Sequence, residues 1–126
     1  MSNTSHQSFT DLIVWQLSRK FKNDIFELVK VFPAEEKFRL TDQLIRATRS
    51  IGANIAEGHG RFTYKDQLSY CIQARGSLSE TNNHLIDALD CGYINNMQFK
   101  ELQKNIEELG KVLNGYISFL RTNIKP

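Results

Sequence analysis

The side chains of Gln43, Arg46, Ser50, Asn54 and Glu57 recur at intervals of 3, 4, 4 and 3. On a 3.6-residue helix that spacing gathers them into a stripe roughly 80° wide. They offer amide and hydroxyl donors and acceptors, one guanidinium and one carboxylate, which is the chemistry of a hydrogen-bonded network or of recognition. A solvated helix face is normally dressed in Lys and Glu, but this stripe lies beside an apolar row of Leu40, Leu44, Ile51 and Ile55. Its groups therefore need defined partners. Folding back through the glycine turn at 58–62 brings Ser50 near Cys71 and Arg46 near Arg75, with Ser79 and Glu80 about one turn further on and Glu80 within reach of Arg46. The favoured reading of Gln43, Arg46, Ser50, Asn54, Glu57, Arg75, Ser79 and Glu80 is a network that fixes helix register, since partly buried polar groups are costly unless paired. Contact with a ligand or with another subunit are the alternatives.

Catalytic chemistry finds little to work with. Glu80 and His84 stand four apart, half of a helical-bundle metal motif, but matching carboxylates on other helices are missing and the two point off the inner face. His6 falls in the polar N-terminal tail and His59 in a glycine turn, so no nucleophile, base and orienting group assemble from spacing. Phosphate-cradling glycine loops and paired metal motifs are absent. Neither enzymatic activity nor a cofactor or metal is expected. Cys71 and Cys91 are about 30 Å apart along one helix, while a disulfide needs Cα atoms within about 7 Å. They are expected to be free thiols, as suits a reducing cytoplasm.

Four periodic segments must position these residues. Helix 1 starts after Thr10 or Asp11, carries Val14, Leu17, Phe21, Ile25, Leu28 and Phe32 on one face, and is closed by Pro33. Thr41 with Asp42 caps helix 2, which runs to a left-handed Gly58. Thr63 and Asp66 open helix 3, whose inner face is Leu68, Cys71, Ile72, Leu78, Leu85, Ile86 and Leu89, and Gly92 ends it. Asn95 precedes helix 4, with Phe99, Leu102, Ile106, Leu109, Leu113 and Tyr116 in near-heptad rhythm. Short connectors make consecutive helices antiparallel, so the fold class is an all-α, up-and-down four-helix bundle. Residues 10–126 form one domain, preceded by a disordered tail at residues 1–9.

With 126 residues and 40% hydrophobic content, one core is expected, burying roughly two thirds of the unfolded chain's surface. A formal charge of +2 permits nucleic-acid binding without demanding it. The longest apolar run, Leu12 to Trp15, is far too short to span a membrane. Leu12, Trp15 and Phe26 on helix 1, Val112 and Phe119 on helix 4, and the small-residue face of Ile45, Gly52 and Ala56 on helix 2 all turn away from the rows assigned to the core. Large apolar residues at helical spacing on several helices point to a homo-oligomer. The outer side of helix 1 bears Arg19, Lys20, Lys22 and Lys30, interrupted by Asp24 and Glu27, and Arg61 follows Gly60 at the start of helix 3. These five cations are candidates for nucleic-acid contact, with a mixed solvated face as the bland reading. A second functional reading is a module that docks a partner helix on Trp15, Phe26 and Phe119 without binding nucleic acid.

Several segments together resemble one family: DLIVWQ from Asp11, FPAEEKFRLTDQL, the stripe-bearing QLIRATRSIGANIAEGHGR, and RGSLSE from Arg75. This combination is similar to the four-helix-bundle proteins encoded in intervening sequences of bacterial 23S rRNA genes. The resemblance implies a left-handed bundle assembled as a ring-shaped homopentamer, with no established enzymatic activity. Through the related accessory variability proteins of diversity-generating retroelements, it also implies contact with RNA or DNA or with a nucleic-acid-handling protein. Ile45 stands where the family often has a second basic residue, and Gly52 where Pro is frequent.

Overall fold

The computed structural model describes residues 8–124, and the first seven residues of the expected tail lie outside them. Four helices run in chain order: α1 (Ile13–Val29), α2 (Leu40–His59), α3 (Tyr64–Asp90) and α4 (Asn96–Thr122). Short 3-10 turns at Phe9–Asp11 and Ala34–Glu36 precede α1 and α2, and no strand occurs among the described residues. Each helix packs on its neighbours in sequence, and α1 meets α4 to complete the bundle. The α2–α3 seam is the most extensive and the α1–α4 seam the thinnest.

Local chemistry explains the boundaries. Thr63 accepts the Asp66 N–H at 3.1 Å to start α3, and Asn95 with Gln98 forms a reciprocal capping box, 2.8 Å in each direction, to start α4. Gly92, at φ +77°, takes the left-handed conformation that releases the chain from α3. Two expectations at α2 fail. Thr41 and Asp42 already lie inside the helix, and the Leu40 N–H reaches the Glu36 carboxylate at 3.4 Å instead. Gly58 is helical rather than left-handed, and its glycine identity answers to packing. A Cβ there would lie 2.9 Å from the Tyr70 Cβ and 3.1 Å from the Gln67 carbonyl. The connector before α2 is tied to the far end of α3 by the Tyr93 hydroxyl donating to Glu36 at 2.7 Å. That bond, with burial behind it, pushes the phenol's pKa up to about 12.

The core is centred on Ile25, Leu44, Ile51, Ile55, Leu85, Leu109, Leu113 and Leu120. The row on α2 is the one expected; on the other three helices part of the expected row is buried, including Phe21, Ile25, Leu78, Leu85, Leu109 and Leu113, and the rest is displaced. On α1, Ser18 and Val29 are buried while Leu17 and Leu28 are only half-buried. On α3, Cys71, Ala74, Leu78, Thr81, Leu85 and Ala88 face inward and Ile72 and Ile86 are exposed. On α4, Ile117 and Leu120 replace Tyr116 as the inner residues. Small and hydroxylated residues turn inward because Ser18, Thr48 and Thr81 return their hydroxyls to their own helix carbonyls, at 2.7, 2.9 and 2.8 Å. Satisfied in this way, they let helices approach closely at little polar cost.

Candidate functional site

The polar stripe on α2 divides into three local sets rather than one network. At its centre the Ser50 and Ser77 hydroxyls meet across the α2–α3 seam at 2.8 Å, and the Asn54 amide donates to the Ser50 carbonyl and hydroxyl at 2.9 and 3.0 Å. Ser50 thus pairs six residues further along α3 than the expected Cys71, a register shift of about 9 Å. Arg46 does not reach Glu80; it turns along its own helix to Asp42 at 3.0 Å, and Glu80 pairs with His84 at 3.2 Å. Arg75 crosses to α4, where it donates to Asn114 at 3.2 Å. Gln43 and Ser79 are exposed, outside any of these sets. Glu57 belongs to the hinge, where it pairs with Arg61 at 3.1 Å; that guanidinium also donates to the Tyr70 hydroxyl and lies 4.8 Å from the Tyr70 ring centroid. Arg61 is a hinge clamp, and the N–H groups that follow it are partly taken by Thr63.

A different group converges where α1 crosses α2. Gly52 lets the helices close, since a Cβ on it would stand 3.0 Å from the Ser18 hydroxyl and 3.5 Å from the Trp15 indole nitrogen. Beside this contact lies a cleft of about 130 Å³, lined by Trp15, Ser18 and Thr48 and by three cations: Arg19, Lys22 and Arg49. Arg19 sits 5.8 Å from the centre of the Trp15 ring, while Lys22 and Arg49 sit 5.9 and 4.9 Å from that of Phe26. None of the three has a carboxylate partner among the described residues. The other expected cations do: Lys20 pairs with Asp24 at 3.2 Å and Lys30 with Glu27 at 2.6 Å. The ring π-faces attract the cations without neutralising them, so the cleft keeps three net positive charges at fixed places. An anion can collect charge-assisted hydrogen bonds there.

Arg49 is not among the five cations that the sequence pattern singles out on helix 1 and at the start of helix 3. The available signal was its place three residues before Gly52, hence on the same face, opposite the small Ser18. Several residues expected at a subunit interface are engaged within the chain. Leu12, Trp15, Ile45 and Val112 pack against the core as half-buried residues, Trp15 also takes the edge of Phe9 at 5.1 Å, and Gly52 faces α1. Phe26 supports cations, and Ala56 is half-buried. Phe119, 50% exposed, is the one that stands out. It stacks on Tyr116 and meets Tyr64 edge-on at 6.0 Å, next to a fully exposed Phe62.

Reactive groups are muted elsewhere. Burial pushes the Cys71 thiol up to about 11 and the Tyr116 phenol up to about 12, so Cys71 stays protonated at neutral pH. Cys91 is exposed, and neither cysteine is in a disulfide. His84 is more enclosed than expected, with a side chain only 12% exposed and a buried Nδ1 that lacks a partner among the described residues. Among the described residues there is no group of three His, Cys, Asp or Glu side chains able to hold a metal, and no helix is long and apolar enough to cross a membrane.

Fold and cleft together define a small all-helical bundle with a cation-lined recess between its first two helices. Residues 10–115 match the model of the 23S rRNA-intervening sequence protein family, and the chain belongs to that family. Its structure is similar to that of a protein of unknown function from the S23 ribosomal protein family of Bacteroides thetaiotaomicron. The TM-score is 0.77 at 28% identity, over 84% of this chain and 96% of the other. None of the curated proteins matches it.

Proposed function

We propose that this protein is a non-enzymatic, cytoplasmic, homo-oligomeric scaffold that grips the phosphate backbone of nucleic acid in the α1–α2 cleft. The observation that carries the reading is the convergence of Arg19, Lys22 and Arg49 without carboxylate partners. The aromatic rings there are turned to their own cations, which favours contact with phosphates over stacking on bases. Recognition is therefore independent of base sequence, and structured RNA is the natural ligand for a member of a family named for rRNA intervening sequences. Oligomerisation, with a pentamer as the form the family resemblance implies, would array one cleft per subunit and compensate for a net charge of only +2. The exposed Phe62, Tyr64 and Phe119 at the hinge end support such association.

Fluorescence anisotropy with a labelled RNA hairpin, at several salt concentrations, tests the reading. Three phosphate contacts per subunit give a slope of log K against log salt of about −2 to −3. Absence of binding at low salt, or a flat salt response, overturns it. Light scattering at high concentration tests association: a single-subunit mass removes the oligomer.

A further inference from the structure

The other flank of α1 has the opposite character. Where α1 meets α4, two hollows share Asp24 and Asn105 and so form one groove, narrow beside Leu17 and opening to about 440 Å³ beside Leu28 and Val31. Its floor is apolar: Leu28, Leu102 and a Val31 that is 75% exposed. Its walls carry Asp24 and Glu27 from α1 and Glu101 and Glu108 from α4. Lys20 and Lys30 compensate the two α1 acids, whereas Glu101 and Glu108 have no cation partner among the described residues. From Leu17 to Leu28 the groove runs about 16 Å, three helical turns.

The geometry points to a docking site for an amphipathic helix of a partner protein, carrying Lys or Arg on either side of its apolar stripe. A helix of that kind meets both requirements of the groove at once, apolar anchors for the floor and cations for the α4 wall. Nucleic acid is turned away by the carboxylates. A second copy of this chain fits poorly, because its own exposed rings, Phe38, Phe62, Tyr64 and Phe119, come from two connectors and two helix termini and not from one basic helix face. The site is separate from the α1–α2 cleft and stands or falls without it.

The probe is a fluorescein-labelled synthetic helix of about 14 residues with Leu at i, i+4, i+7 and i+11 and Lys flanking them, titrated with the full chain and read by anisotropy. Saturable binding is expected, weakened about tenfold or more in E101K/E108K and in Val31→Asn, and unchanged in Arg49→Glu. Circular dichroism checks that these surface variants remain helical. A scrambled peptide of equal composition, and one with Glu for Lys, should bind at least about tenfold more weakly. Failure of the Leu/Lys helix to bind, equal binding by either control peptide, or indifference to both groove variants overturns the assignment.

Discussion

The two flanks of α1 differ in every respect that matters for recognition. Toward α2, a glycine and a serine bring the backbones together, aromatic rings hold three cations, and the recess is small and positive. Toward α4 the seam is thin, the floor is exposed aliphatic surface, and the wall is negative. One helix thus separates two fields of opposite sign, and a chain whose charge nearly cancels overall still presents strong local electrostatics. Net charge averages away the feature that decides what can bind where.

The most severe test removes the sign difference. Reversing all three cations in R19E/K22E/R49E should abolish RNA binding, a loss of roughly a hundredfold or more at 0.1 M salt, while helicity and the α1–α4 groove are untouched. Anisotropy and circular dichroism on one sample settle both halves, and retained RNA affinity would relocate the interface. A second test separates cleft shape from charge. Gly52→Val would drive two methyl groups toward Ser18 and Trp15, costing about 1–3 kcal/mol by overpacking. The expected readings are a lower unfolding midpoint in urea and RNA binding weakened about tenfold as the cations spread. Gly110, whose added Cβ would make an ordinary 3.6 Å contact with Leu78, provides the control. Gly110→Ala should be neutral or stabilise by up to about 1 kcal/mol.

These positions also show how far the sequence could be read. The helix count, the caps at Thr63 and Asn95, and the α2 core row of Leu40, Leu44, Ile51 and Ile55 were legible because local chemistry dictates them. Helix rotation was not. Choosing the large residues at each turn put Leu17, Ile72 and Tyr116 inside, whereas the fold turns Ser18, Ala74 and Ile117 inward, so that several of the larger side chains cover the seams. The stripe from Gln43 to Glu57 was found, but its partners depend on a hinge geometry that spacing does not encode. Hence Ser50 meets Ser77 rather than the neighbourhood of Cys71. The cationic cleft was half seen: Arg19 and Lys22 stood out on helix 1, yet Arg49 joins them only through the tertiary contact at Gly52. The acidic groove, made of two helices distant in sequence, left no local trace.

Alkaline pH probes a region remote from both flanks and calibrates them. Cys71 and Tyr116, each with its pKa raised mainly by burial to about 11 and about 12, ionise more readily unfolded than folded. Their stabilisation is complete below the unfolded thiol's value of 9.0 and is lost as pH climbs through the folded values. Unfolding free energy from urea titrations should therefore decline from about pH 9 upward. In the native state at neutral pH a thiol reagent should label Cys91 and spare Cys71. Equal labelling of both would mean that the α3–α4 packing over Cys71 is looser than its burial implies.

The finest test concerns what holds the cations still. Phe26 lies between Lys22 and Arg49, and Phe26→Leu keeps apolar bulk while removing the π-face. Two cation–π contacts at a partly exposed site contribute about 0.5–1 kcal/mol each, so RNA affinity should fall roughly fivefold to thirtyfold if both are felt fully in binding and less if the cations find the same positions unaided. The salt slope discriminates, because the number of phosphates neutralised is unchanged when the three charges remain. A parallel downward displacement of the log K against log salt line is expected. A shallower slope would mean that the ring fixes how many phosphates the cleft engages. In that case the aromatic residues of α1 would belong to the recognition surface itself.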